Sequence, residues 1–234
     1  MENNLHFIGI GGIGMSAIAK IMLGKGYAIS GSDVKESYLT DELAENGACI
    51  FYRHDADNIP KTAQAVVYSS AIKADNPEMI EAKRRGLHIY KRAEALAFLM
   101  STGISIGVAG AHGKTTTSAM ISTMLDHAGC DPTVVIGGML PSIGGGNAKA
   151  GKGQYLVAEA DESDGTFLLL RPTIAVITNI EADHLDYYHD LNKIIQAFEQ
   201  YFRQVPAGGF TVYCADCPIC RDLAYAVPGR YISY

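Results

Sequence analysis

No run of apolar residues in this chain approaches the length of a membrane span, although 48% of its 234 residues are hydrophobic. That apolar content is therefore expected to fill globular cores, enough for one large or two small domains. Positive charge is also short: 19 Lys and Arg against 25 Asp and Glu leave a net charge of −6. The balance argues against general nucleic-acid or membrane-surface binding, and it leaves room for a local anion site built from backbone N–H groups. The opening Met1-Glu2-Asn3-Asn4 has no basic region and strand-like residues follow at once, so no secretion signal is expected. Cysteine is sparse and odd in number, five in all, which points to reduced thiols in a cytoplasm. No repeat at solenoid periods is found.

What is present is a βαβ rhythm. Short apolar runs at 6–10, 27–30, 48–51, 65–68 and 87–90 read as strands. Helical stretches at 15–24, 38–45, 77–85 and 93–100 separate them. The alternation predicts an α/β fold with a parallel sheet covered by helices. Ser101-Thr102-Gly103 is the best boundary, giving a Rossmann-like domain over 1–102 and a P-loop ATPase-type domain over 103–234. Strands are expected in the second domain at 104–109, 133–136, 155–158, 173–178 and 210–213, with a helix over 191–202. Ile143-Gly144-Gly145-Gly146-Asn147 reads as a mobile loop. The second unit looks truncated, so the chain is expected to be the N-terminal part of a longer protein.

Two glycine loops carry the chemistry. The stretch Gly110-Ala111-His112-Gly113-Lys114-Thr115-Thr116-Thr117 follows the apolar run 104–109 and opens the helix-like run 118–125. Strand, Gly-rich turn, Gly-Lys-Thr and helix is the layout of a nucleoside-triphosphate loop. Loop N–H groups face the phosphates, Lys114 neutralises their charge and the Thr115 hydroxyl reaches Mg²⁺. Val108 stands where the template has its first glycine. A turn that merely caps a helix is the plainer alternative, but it gives Lys and Thr no reason to follow Gly113. Earlier, Gly9-Ile10-Gly11-Gly12-Ile13-Gly14 satisfies G-x-G-x-x-G between a strand and a helix, with Asp33 near the end of the next strand at ribose-binding spacing. Such a loop reads a pyrophosphate beside a ribose. NAD, FAD and a UDP-sugar all offer one. A second, ATP-type loop in the same chain points to a nucleotide-linked substrate activated by ATP.

Carboxylates cluster at two later strand ends, where ligands gather in open α/β sheets. In Glu159-Ala160-Asp161-Glu162-Ser163-Asp164, Glu159 is nearest the strand and is the first choice for Mg²⁺; Asp161, Glu162 and Asp164 are weaker candidates. Asn179-Ile180-Glu181-Ala182-Asp183-His184-Leu185-Asp186 supplies His184 as a further metal or phosphate contact. Cys214, Cys217 and Cys220 have part of an iron–sulfur ligand spacing, but no fourth ligand is near. Cys49 and Cys130 read as small core residues.

Taken in order, these residues resemble the Mur ligase family of peptidoglycan synthesis. The likeness runs over essentially the whole chain. It rests on Gly9 to Ser16, Ser30-Gly31-Ser32-Asp33, Ser69-Ser70-Ala71-Ile72, Arg92-Ala93-Glu94, Gly110 to Thr117, Glu159 to Asp164 and Asn179 to Asp186. Ala111 departs mildly from the family's usual Thr. The resemblance implies an ATP-dependent ligase in which ATP phosphorylates the carboxylate of UDP-N-acetylmuramate and the amine of an amino acid attacks the acyl-phosphate. It implies that Gly110, Ala111, His112, Gly113, Lys114, Thr115 and Thr116 bind ATP. Lys114, Glu159 and His184 are implied to be catalytic, with Thr115, Glu159 and His184 on Mg²⁺. Gly11, Gly12, Ile13, Gly14, Met15 and Ser16 are implied to cradle the UDP pyrophosphate, with Asp33 and Ser70, and less surely His54, near the uridine. Later-acting relatives carry a carbamylated lysine where this chain has Phe198. That favours the branch whose co-substrate is L-alanine. The family's remaining sites lie largely past Tyr234, so this chain alone is expected not to ligate. An NAD-dependent oxidoreductase and a non-catalytic UDP-sugar-binding module stay open as other readings.

Overall fold

The computed structural model describes residues 1–140 and 146–234, and the chain divides into two compact units. Unit 1 comprises Met1–Leu96 with Gly137–Ala150; unit 2 comprises Ala97–Ile136 with Gly151–Tyr234.

Unit 1 runs β1 (Asn4–Ile8), α1 (Ile13–Gly24), β2 (Ala28–Ser32), α2 (Tyr38–Glu45), β3 (Cys49–Phe51), β4 (Ala65–Tyr68), α3 (Pro77–Arg84), β5 (His88–Lys91) and α4 (Arg92–Met100), whose last turn passes into unit 2. The five strands form one parallel sheet in the order β3-β2-β1-β4-β5. The order reverses between β1 and β4, which places a ligand crevice at their C-terminal ends. Leu5, Phe7 and Ile8 of β1 are buried among helices on both faces, as a central parallel strand requires. The helix starts are encoded locally. Ser37 and Thr40 form a reciprocal capping box for α2, and Asn76 accepts the N–H of Glu78 at 2.9 Å with Pro77 in the first turn of α3.

Unit 2 runs β6 (Ile104–Ala109), α5 (Lys114–His127), β7 (Thr133–Leu140), β8 (Gly146–Lys149), β9 (Tyr155–Glu159), β10 (Ile174–Ile177), α6 (Leu185–Tyr188), α7 (Leu191–Gln204), β11 (Phe210–Tyr213), α8 (Pro218–Ala226) and β12 (Tyr231–Ser233), with β8 and the end of β7 grouped with unit 1. The sheet order is β12-β11-β10-β6-β9-β7-β8. β6 lies between β9 and β10, parallel to both. Its C-terminal end is therefore the switch point of this sheet. On α7, Ile194, Ala197, Phe198, Tyr201 and Phe202 are buried on one stripe. Phe198 and Tyr201 pack with tilted rings against Phe167 at ring-centroid distances of 5.3 and 5.0 Å, a cluster that anchors the unit. Gly107 sits in β6 because a Cβ there would lie 2.4 Å from the Tyr201 hydroxyl.

Three sequence expectations change. Gly146 and Asn147 belong to β8, not to a loop, while residues 143–145 of that expected loop lie outside the described residues. Asn147 is buried because its amide donates to the carbonyl of Ile13 at 2.5 Å, so a polar side chain seats the strand on the start of α1. Cys49 is exposed rather than a core residue, since β3 is the edge strand of its sheet. The helix α5 begins at Lys114, four residues before the apolar stripe that first revealed it.

Candidate functional site

In unit 2 the loop 110–113 leaves the end of β6 and turns into α5. Gly110 has φ 133° and Gly113 has φ 83°, conformations that side chains resist. A Cβ on Gly110 would lie 2.2 Å from the Thr178 hydroxyl, so the glycine also admits a neighbouring strand end. That strand end clasps the loop. The Asn179 side chain accepts the His112 N–H at 2.9 Å and donates to the His112 carbonyl at 3.0 Å. Its own carbonyl accepts the Ala111 N–H at 3.3 Å. Thr178 donates to the His112 carbonyl at 2.6 Å. Two loop N–H groups are thus committed to Asn179. Thr117 is the first residue of α5 whose N–H bonds back, to Gly113, leaving the N–H groups at the helix start for an anion. Asn179 is the residue whose role the sequence reading left unassigned; its position directly after a buried strand was the signal.

Lys114 folds back over the loop. Its ammonium donates to the Gly110 carbonyl at 2.7 Å and to the Glu162 carboxylate at 2.9 Å. Glu162 is 3% exposed, and its second carboxylate oxygen is buried with no hydrogen-bond partner. His184 Nε2 lies 3.7 Å from Glu162 and from Asp183. His184 holds left-handed backbone, φ 52° and ψ 39°, as the residue that starts α6, a conformation uncommon outside glycine and enriched at functional sites. The Tyr188 hydroxyl donates to the Glu162 backbone carbonyl at 2.6 Å, and burial pushes that hydroxyl up, so it stays a donor.

Lys114, Glu162 and His184 are therefore brought together. Glu159 ends β9 opposite Val108 of β6, and Thr115 follows Lys114 on the exposed first turn of α5. Asp161 and Asp164 serve the turn between them: Asp161 accepts the Ser163 N–H at 3.1 Å, and Asp164 accepts from Thr166. Among the described residues, no group of three or more His, Cys, Asp or Glu side chains could hold a metal ion. A preformed protein cage for a metal is thus absent there, including at Cys214, Cys217 and Cys220. Oxygen donors on single residues around an anion loop suit Mg²⁺, which binds through one or two side chains, waters and substrate phosphates. Phe198, 1% exposed in the aromatic cluster, offers no donor.

In unit 1 the loop after β1 is pinned by Asp33. The Gly11 N–H donates to its carboxylate at 2.8 Å, and the Val34 N–H does so to the other oxygen at 2.8 Å. A Cβ on Gly11 would lie 2.9 Å from that carboxylate. Gly12 caps α1 with no side-chain bond, so the N–H groups of its first turn face outward. Met15 and Ser16 have buried side chains, and the Ser16 N–H is bonded to the Gly12 carbonyl at 2.8 Å, so of the two only Met15 keeps its N–H for a ligand. Ser70 is exposed just beyond β4, across the switch point. His54 bonds Glu78 at 3.0 Å within a buried polar cluster. There Ser32 and Asn58 donate to the Glu78 carboxylate at 2.6 and 2.7 Å, and His6 bonds Ser30 at 2.8 Å.

Residues 4–103 match the Mur ligase family catalytic domain, and residues 108–234 match the Mur ligase middle domain. A UDP-N-acetylmuramate–L-alanine ligase of Syntrophotalea carbinolica is 53% identical over 230 residues, 98% of this chain and 50% of that protein. The solved UDP-N-acetylmuramate-alanine ligase of Thermotoga maritima superposes with a TM-score of 0.83 at 34% identity, over 94% of this chain and 51% of that one. The UDP-N-acetylmuramate:L-alanyl-γ-D-glutamyl-meso-diaminopimelate ligase of Neisseria meningitides superposes at 0.87 with 28% identity, over 100% and 78%. The chain thus spans about half the length of the curated relatives it matches.

Proposed function

Because the chain belongs to the Mur ligase family, we propose that it carries the substrate-binding half of an ATP-dependent ligase joining L-alanine to the carboxylate of UDP-N-acetylmuramate, in peptidoglycan biosynthesis in the cytoplasm. Residues 1–102 form the UDP-sugar domain and 103–234 the first part of the ATP domain. The observation that carries the reading is Lys114, held by the buried Glu162 at the switch point of unit 2.

ATP lies with its phosphates over Gly110 to Thr116, and Lys114, still beside Glu162, gives up its contact with the Gly110 carbonyl for the transferring phosphoryl group. The positive charge stabilises that group as the muramate carboxylate oxygen attacks it and ADP departs. Attack by the amine of L-alanine on the acyl-phosphate then forms the amide and releases phosphate. Mg²⁺, when bound, would neutralise phosphate charge, and Thr115, Glu159 and His184 would hold it, directly or through water. In unit 1 the Gly11–Ser16 turn receives the pyrophosphate on the N–H groups of Ile13, Gly14 and Met15, since those of Gly11, Gly12 and Ser16 are already bonded within the chain. Asp33 holds that loop in shape and, with Ser70, borders the nucleoside.

Titration of the chain with ATP, with and without Mg²⁺, tests the reading. Mg²⁺-dependent binding that is lost in Lys114→Ala is the expected result. ATP affinity unchanged by that substitution would contradict it.

A further inference from the structure

The segment Cys214-Ala215-Asp216-Cys217-Pro218-Ile219-Cys220 has no part in the ligase reading. It links the end of β11 to α8. Cys214 continues the strand register, its N–H donating to the Ile177 carbonyl at 3.2 Å, and the Cys217 N–H closes a turn onto the Cys214 carbonyl at 3.3 Å. Cys217 then caps α8, Pro218 sets the first turn, and Cys220 follows within that turn. The two thiols differ in surroundings. Cys217 is partly exposed, and its sulfur lies 4.0 Å from the Ile180 carbonyl. Cys220 is completely buried, three residues on from Cys217 in the first turn of α8. Residues three apart on a helical turn bring their Cβ atoms to about 5–6 Å. A disulfide spans about 3.5–4.5 Å between Cβ atoms, so closing the pair takes a local shift of about 1–2 Å.

We propose that Cys217 and Cys220 are a thiol–disulfide exchange pair, a redox modification site that reacts with small-molecule disulfides. Cys217 is the sulfur that solvent reaches. Its thiolate, on the residue at the N-terminal end of α8, attacks one sulfur of R–S–S–R. A mixed disulfide forms on Cys217, and the first RS⁻ leaves and takes up the proton Cys217 gave. Cys220 then loses its proton and attacks the Cys217 sulfur, expelling the second RS⁻, which takes up that proton. Two electrons pass from the pair to the disulfide, which becomes two thiols. Burial pushes the Cys220 thiol up, which suits a resolving sulfur that reacts only once its neighbour is already oxidised. Ile180, in contact with Cys217, directly follows Asn179, so the site adjoins the residue that clasps the phosphate loop.

The test is to equilibrate the reduced chain with oxidised glutathione, quench with acid, alkylate free thiols and map the tryptic peptide that spans 204–221. The expected result is loss of two hydrogens between Cys217 and Cys220, with Cys214 alkylated. Cys220→Ser, and Cys220→Ala as the variant that buries no hydroxyl, halt at a glutathione adduct on Cys217. Cys217→Ser leaves Cys220 a free thiol. A disulfide that joins Cys214 to either residue, or adducts confined to Cys49 and Cys130, overturns the proposal.

Discussion

Glu162 is the resident counter-ion of Lys114: the two side chains meet at 2.9 Å, and Lys114 also caps the Gly110 carbonyl. One oxygen of the carboxylate serves that bond, and the other is buried without a partner. A buried carboxylate half-used in this way is stable only while the lysine stays close.

Glu162→Gln keeps the shape and removes the charge. A charge-assisted bond at a mostly buried site contributes about 2 kcal/mol, so the urea midpoint should fall by that equivalent. An unchanged midpoint would show that the pair adds nothing to folding.

Gly110→Ala should be among the most damaging single substitutions in unit 2. The new methyl would meet the Thr178 hydroxyl at 2.2 Å and the Asn179 carbonyl at 2.8 Å, on backbone at φ 133°. The expected cost is about 3 kcal/mol or more, measured by denaturation of the purified variant. Gly208→Ala, with open space around its Cβ, is the control and should be nearly neutral.

Asp33→Ala releases the Gly11 and Val34 N–H groups together. The loop then loses its preset shape, and affinity for a UDP-sugar should drop roughly tenfold, with about 1–2 kcal/mol of stability lost as well. Calorimetry and thermal melting read the two effects separately. Wild-type affinity in this variant would remove Asp33 from the site.

Glu78 predicts an acid limb. Burial works to raise its pKa, but the His6 imidazole 3.6 Å away and hydrogen bonds from Ser32 and Asn58 outweigh it and hold the carboxyl below its ordinary value of 4.5. A depressed folded pKa contributes stability that is complete above the unfolded value and is lost as pH falls through the folded one. Urea midpoints should therefore decline below about pH 4.5, and Glu78→Gln should flatten that decline. The same slope in both proteins would assign the acid limb elsewhere.

Much of the fold was legible because its signals are local. The strands at 65–68, 104–109 and 210–213 and the helix at 38–45 have the bounds their apolar patterns implied. The two glycine loops declared themselves through glycine spacing, and each occupies the switch point of its sheet. Features set by long-range contact were not legible. β8 was hidden because Gly146 and Asn147 have loop-like composition, and it takes the long-range bonds from Asn147 to Ile13 and Ser16 to explain a buried amide there. Among the clustered acids, proximity to the strand pointed to Glu159. Burial, which no spacing reveals, is what selects Glu162 as the partner of Lys114. The short helix α6 was missed because its four residues are too few to show a helical period.

The most direct test of the account is calorimetric titration of the chain with UDP-N-acetylmuramate, with NAD in parallel. Binding of the UDP-sugar, weakened in Asp33→Ala, and no heat from NAD is the predicted result. Binding of NAD without the UDP-sugar would contradict the account and return the first glycine loop to an oxidoreductase.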